Sequence, residues 1–291
     1  AEGEDPKATV ALLGKLEAFH KRARKTFEGK ALTPGLGVAY VTVAGDLYNE
    51  GKWEDARELT VRSIEAEASA EALDLLGTIA FKRGELDRAR EAYDRIFELA
   101  FQGAASRMSW EISAHLELAD IEAQAGDVPA ARRHYKGALR HLNALLSYPE
   151  LDGAARGSRH AERGRVFFAL GDLDLAMADF RSAVSAAPND PSSYIEGMMV
   201  FVSRGYLDQA TELYNRAMSQ EELNENLKLY LSFWIRDLGL RVKKSPDPRA
   251  VAFVEKFEGE GWTAALARHA RGEIDVDALL KAASNPGERA E

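Results

Sequence analysis

The sequence predicts an all-α fold of antiparallel helix pairs, and three observations predict it. A Gly-x-apolar-x-x-Ala unit recurs five times, beginning at Gly51, Gly84, Gly126, Gly171 and Gly205, with successive glycines 33, 42, 45 and 34 residues apart. Proline is scarce, 9 in 291 residues, while the strong helix formers Ala, Leu, Glu and Arg dominate. The glycines stand singly between helix-forming stretches, where glycine enters the left-handed conformation that closes a helix at no steric cost.

Taken in order, residues 1–8 read as a flexible N-terminus and 9–36 as a capping helix and loop. Thr9 to Lys25 is amphipathic, with Leu12, Leu13, Leu16 and Phe19 on one stripe. Its other face carries Lys15, Lys21, Arg22, Arg24 and Lys25, a solvated face or a dock for an acidic partner or lipid head groups. Residues 37–220 hold the five repeats. The two longer spacings place insertions near Phe101 to Ser109 and near Leu142 to Gly157, the second containing a loop marked by Ser147, Tyr148, Pro149, Asp152 and Gly153. Residues 221–284 read as a degenerate sixth repeat from Leu223 to Leu238. A break at Pro246 and Pro248 precedes shorter helices near Pro248 to Phe257, Trp262 to Ala270 and Asp275 to Ala283, which seal the array. Residues 285–291 have no apolar stripe and read as a frayed tail.

Within each repeat, small residues at Gly77, Ala119 and Gly164 allow the first helix to approach the second. Tyr93, Tyr135, Phe180 and Tyr214 are the large side chains that fill the space. The shorter spacings match the roughly 34-residue period of one repeat family. On Leu76-Gly77, Ala80, Gly84 and Tyr93, on Gly164, Phe167, Phe180, Ala183 and Pro188, and on Tyr194, Phe201, Tyr214 and Ala217, the chain resembles tetratricopeptide repeat proteins. The resemblance implies a right-handed superhelical solenoid of antiparallel helix pairs with an N-terminal capping helix and an irregular helical C-terminal cap. The order Leu229-Tyr230, Trp234, Trp262, Leu266, Gly272-Glu273-Ile274 and Leu279-Leu280 loosely resembles the tail of bacterial tetratricopeptide lipoproteins of the NlpI type, which act as periplasmic adaptors. This chain lacks the N-terminal Cys that carries their lipid.

The family register implies a concave groove lined by the first helix of each pair. Those positions hold Val38, Val41, Tyr48 and Asn49, then Asp74, Thr78, Phe81 and Lys82, then Leu116, Asp120 and Gln124, then Arg165 and Phe168, then Ile195, Met199 and Val202. A lining this apolar suits an amphipathic helix or an extended apolar peptide, with Tyr48, Phe81, Phe168 and Met199 as contacts. Val41 and Gly45 stand where chaperone-binding relatives carry a Lys and Asn clamp, which argues against that mode. A second feature is basic: Arg132, Arg133, His134, Lys136, Arg140 and His141, then Arg156, Arg159, His160, Arg163 and Arg165. It reads either as a surface for carboxylates or phosphates or as cations paired within the fold.

The net charge of -9 argues against a general nucleic-acid binder, which needs cations to displace phosphate counterions. No apolar run approaches the roughly 18 residues of a membrane span. Cys is absent, so disulfides, thiolate metal sites and Cys nucleophiles are excluded. The six histidines form no HExxH spacing. His134 and His141 share a helix face but lack an obvious third ligand, so they read as surface residues and no metal is expected. Glu54-Asp55 and the Asp172 with Asp174 pair lie where second helices begin, and negative charge there suits the helix dipole better than catalysis. No phosphate loop or nucleophile elbow is present.

The expected function is therefore a non-enzymatic scaffold or adaptor that needs no cofactor and binds another protein, as peptide or helix, in the groove. The alternative is a structural subunit of a larger complex or homo-oligomer with the groove occupied. A small-molecule binder around Trp234 and Trp262 is a third reading. The first residues, Ala1 to Pro6 without Met, fit a mature end left after export, and a trimmed chain reads the same way. A periplasmic or otherwise exported setting is expected, with a cytoplasmic one as the alternative.

Overall fold

The computed structural model describes residues 6–23 and 33–283, and every regular element among them is helical. Of the expected flexible N-terminus 1–8, residues 1–5 lie outside the described residues, as do the expected tail 285–291 and the side chains of Leu12, Phe19, Arg22, Arg24 and Lys25. In chain order the helices are α1 (Pro6–Ala23), α2 (Thr33–Asn49), α3 (Trp53–Ala66), α4 (Ala70–Lys82), α5 (Leu86–Asp94) with a short 3-10 turn (Arg95–Glu98), α6 (Ala104–Ala125) and α7 (Val128–Leu146). They continue with α8 (Gly153–Leu170), α9 (Leu173–Ala186), α10 (Ser192–Arg204), α11 (Leu207–Met218), α12 (Glu225–Arg241), α13 (Pro248–Lys256), α14 (Gly261–Ala270) and α15 (Val276–Ala282). The chain divides into two compact units, 1–141 and 142–291.

Helix ends follow local chemistry. Each of the five repeat glycines has positive φ: Gly51 at 78°, Gly84 at 75°, Gly126 at 82°, Gly171 at 96° and Gly205 at 82°. A side chain in this region is strained, so glycine sets these turns. Four of the five following helices open with acids in their first turn, Glu54 and Asp55 in α3, Asp87 in α5, Asp174 in α9 and Asp208 in α11, which favour the helix dipole. Elsewhere side chains cap the starts: Ser69 accepts from the Ala72 amide, Asp152 from Ala155, Asn224 from Asn226 and Leu227, and Asp275 from Ala278. Helix α1 takes in Pro6 to Ala8, which were expected in the flexible N-terminus, ahead of the helix expected from Thr9. The first insertion extends a helix: α6 runs for 22 residues and takes in Ala104 to Ser109. The second forms the loop 147–152.

In the first unit, α1 contributes Leu13 to a core with Leu36, Tyr40, Val43, Leu47, Ala56 and Ile79. Glu17 of α1 accepts from Tyr40 Oη at 2.7 Å and from Arg62 Nη1 at 3.0 Å, so the helix is tied to both members of the first pair. Next to it Leu73, Tyr93, Ile96, Leu118 and Ile121 form a second cluster. In the second unit one core runs from Ala176 and Phe180 through Tyr194, Phe201 and Tyr214 to Leu231, Ile235 and Ala250. The C-terminal helices close on Leu229, Val254, Phe257 and Ala267.

Candidate partner-binding faces

The glycine and aromatic positions show how tightly each pair is built. A Cβ on Gly77 would stand 2.6 Å from Tyr93 Cζ, and one on Gly164 3.0 Å from Phe180 Cε1. Tyr93, Phe180 and Tyr214 are completely buried, as expected of the large knobs, whereas Tyr135 is only half-buried. A close approach that the sequence reading missed is Gly197, where a Cβ would lie 2.5 Å from Leu213 Cδ1.

In the first unit the expected groove residues divide into four groups. Asn49, Lys82 and Gln124 are exposed, and Val38 is 62% exposed. Tyr48 and Phe81 are half-buried against the core clusters. Thr78 and Asp120 hold the helix pairs together: Thr78 Oγ1 lies 3.1 Å from Tyr93 Oη, and Tyr135 Oη donates to Asp120 Oδ1 at 2.8 Å. Asp74 accepts from Ser113 Oγ at 3.3 Å, and burial raises its pKa. Val41 and Leu116 do not line a groove. Val41 is buried on the stripe of Gly37 and Ala44, and Leu116 on that of Ile112 and Ala119, because four- and three-residue steps return each to the core side of its helix.

The second unit presents a more apolar face. On α10, Ile195, Met199 and Val202 follow one another at helical spacing; Met199 is 55% exposed, and the other two are partly covered. Phe168 of α8 is half-buried and meets Phe201 and Tyr206 edge-on, with ring centroids 5.9 and 5.6 Å apart. Tyr206, 39% exposed, packs on Phe168 and was not foreseen. Its signal is its place just after the helix-ending Gly205. Arg165 on the same helix as Phe168 is half-buried and already engaged within the structure.

The expected basic surface is corrected in its second half. Arg156 donates to the carbonyls of Leu146, Tyr148 and Leu151 at 3.0 to 3.4 Å, closing the loop before α8. Arg159 pairs with Glu162 at 2.7 Å. Arg163 grips Asp179 with Nε and Nη2 at 2.7 and 2.8 Å and donates to Asn143 Oδ1 at 2.8 Å. His160 Nδ1 donates to the same carboxylate at 2.9 Å, and Asp179 is only 4% exposed. These three arginines satisfy buried or loop acceptors and so are not offered to a ligand. On α7, Arg133, Lys136 and Arg140 are exposed, and Arg132 is exposed and already engaged.

The histidines are also less superficial than expected. His115 of α6 lies between His134 and His141 of α7: the Nδ1 atoms of His115 and His134 are 3.2 Å apart, and the His141 ring stacks on His115 at 5.9 Å. Phe97 covers His115 at 4.7 Å, and His141 Nε2 is 3.4 Å from buried Glu111. Burial, aided by the fields of His134, His141 and Arg140, pushes the pKa of His115 down to about 4. His134 is lowered as well, chiefly by burial. No group of three or more His, Asp or Glu arranged to hold a metal ion occurs among the described residues. No helix among them is long and apolar enough to cross a membrane.

A tetratricopeptide-repeat family model matches residues 44–102 and 116–191. Among solved structures the chain is similar to BtubC from P. vanneervenii, with 18% identity and a TM-score of 0.51 over 74% of this chain and 91% of that one. It is also similar to a thermophilic TPR protein from Thermus thermophilus, with 21% identity and a TM-score of 0.49 over 68% of this chain and 98% of that one. For pilF of Pseudomonas aeruginosa the identity is 16% and the TM-score 0.45, over 90% and 97% of the two chains. No curated protein matches the sequence. With paired helices closed by left-handed glycines, aromatic knobs set against small residues and the family match over two stretches, the chain has the tetratricopeptide-repeat fold, and residues 44–102 and 116–191 are tetratricopeptide repeats.

Proposed function

We propose that this protein is a non-catalytic adaptor that binds the apolar side of a partner peptide or helix, and that the face formed by Phe168, Ile195, Met199, Val202 and Tyr206 receives it. Tetratricopeptide repeats are in general protein-interaction scaffolds, and such arrays use their stacked helices as extended binding surfaces. The observation that carries the reading is Met199, an apolar side chain 55% exposed and in line with the partly covered Ile195 and Val202. Methionine is flexible and polarizable, and suits a surface that must fit an irregular apolar partner. The edge-on ring contact holds Phe168 and Tyr206 against each other, so part of the proposed contact is ordered before binding. The homo-oligomer reading uses the same face with a second copy as occupant.

A photo-crosslinking amino acid at position 199, with a control at exposed Leu175, tests the reading in native cells. A protein adduct formed from 199 and not from 175, and lost when Val202→Asp is added, supports it. Adducts of equal yield from both positions overturn it, and an adduct of twice the chain's own mass assigns the face to self-association. The proposed setting is periplasmic or otherwise exported, supported by the tail's likeness to envelope adaptors. Protection of the native protein from protease in spheroplasts would place it in the cytoplasm instead.

A further inference from the structure

Helix α7 differs in charge from the helices around it. Its 19 residues include Arg132, Arg133, Lys136 and Arg140 and no Asp or Glu, in a chain with 47 acidic and 38 basic residues. Several cations on other helix surfaces have carboxylate partners: Arg57 with Glu54, Arg62 with Glu58, Arg88 with Glu85, Arg181 with Glu212 and Arg241 with Asp237. Arg133, Lys136 and Arg140 are exposed and have no ion pair or hydrogen bond among the described residues.

Spacings of three and four residues put them along one side of the helix, and a rise of 1.5 Å per residue spreads them over about 10 Å. Three cations left without local acids repel one another and gain most from carboxylates brought from outside. We propose that the exposed side of α7 is a second docking surface, taking an acidic helix of a partner protein whose carboxylates recur at i, i+4 and i+7. The complementarity is one of spacing as well as sign, because a helix laid along α7 repeats its acids over the same length of about 10 Å. A polyanion such as nucleic acid offers charge without that helical spacing. None of its residues belongs to the Met199 face, so the two are tested separately.

The test is fluorescence anisotropy with a labelled helical peptide bearing glutamates at i, i+4 and i+7 on an Ala and Gln background. The wild type is expected to bind it saturably, and raising salt from about 50 to about 300 mM is expected to weaken binding severalfold as the charges are screened. Arg133→Glu, Lys136→Glu, Arg140→Glu is expected to lose at least about tenfold in affinity, equivalent to about 1.4 kcal/mol. The comparison variant Arg57→Glu, Arg88→Glu, Arg181→Glu carries the same change in net charge and is expected to lose less than about twofold. Circular dichroism checks that both fold, and a milder Arg133→Gln, Lys136→Gln, Arg140→Gln variant replaces the first if its melt is altered. Equal losses in both variants assign binding to net charge and overturn the proposal. Absence of saturable peptide binding overturns it too, as does tighter binding to RNA or to phosphatidylserine vesicles that the α7 variant abolishes.

Discussion

Tyr135 donates a 2.8 Å hydrogen bond to Asp120, which precedes it by fifteen residues. The same offset joins Tyr93 to Thr78 at 3.1 Å. Carried forward, it pairs Phe180 with Arg165 and Tyr214 with Met199. Phe180 has no hydroxyl to offer, and Tyr214 turns to Ser232 of the following pair at 3.1 Å. One position of the first helix in each pair is thus bound by the knob in early repeats and released in the fifth, where it becomes the exposed Met199. Tyr135→Phe is expected to cost about 1 kcal/mol, the usual net value of one hydrogen bond, read as a lower urea midpoint at unchanged slope. A midpoint that does not move would mean that the hydroxyl is dispensable to the pair.

Close approach between helices makes a stronger prediction. At Gly77 an added Cβ would lie 2.6 Å from the Tyr93 ring, which is completely buried and has no room to retreat. Gly77→Ala is therefore expected to destabilise by about 1–3 kcal/mol, as overpacking does. Gly45→Ala is the opposite case. Gly45 is inside α2 with nothing within 4 Å of the added carbon, so alanine is expected to stabilise by about 0.5–1 kcal/mol through helix propensity. Urea melts of the two variants should move in opposite directions from the wild type. Movement in the same direction would show that propensity and not packing governs both sites.

These sites also show what the sequence could tell. The recurrence of Gly51, Gly84, Gly126, Gly171 and Gly205 marks the turns because glycine alone takes the observed backbone conformation cheaply, and all five have positive φ. The burial of Tyr93 against Gly77 was readable for the same reason, as a small residue and a large one in fixed register. Which arginines are free was not readable. Arg163 and Arg140 look alike in sequence, and their difference is made by Asp179, which reaches Arg163 only when α9 folds back on α8. Nor did spacing within α7 show that His115, from another helix, completes a cluster with His134 and His141. The burial of Val41 and Leu116 was missed because the groove register was carried over from the family and not tested against their own apolar stripes.

Asp179 provides a prediction about that buried charge. Its carboxylate, 4% exposed, accepts two bonds from Arg163 and one from His160. Removing the guanidinium leaves a buried anion with one remaining partner, which is expected to be expensive. Arg163→Met should destabilise by about 3–5 kcal/mol, whereas pairing it with Asp179→Asn should restore part of the loss because no uncompensated charge remains. Arg181→Met, which breaks an exposed pair with Glu212, is expected to cost no more than about 1 kcal/mol. A double variant no more stable than Arg163→Met would show that packing of the arginine stem, and not its charge, holds α8 to α9.

The histidine cluster makes stability depend on pH, and the sign follows from His115. In the folded chain its imidazole stays neutral down to about 4, against an ordinary value of 6.5. Between those values the unfolded chain binds a proton that the folded chain refuses, so stability is complete above about 6.5 and is lost as pH falls toward 4. His134, lowered in the same direction, adds to the effect. Asp74, Asp94 and Glu162, raised by burial, act oppositely: they take up protons more readily when folded and add stability as the pH drops through the carboxylate range. Removing His115 alone separates the two contributions. The melting temperature of the wild type is expected to fall more steeply from pH 7 to pH 5 than that of His115→Leu, whose curve keeps the carboxylates but lacks the buried imidazole. The expected difference is largest near pH 5, where the unfolded imidazole is charged and the folded one is not. Parallel curves for the two proteins would mean that the cluster opens to solvent without unfolding, so that its protonation costs the fold nothing.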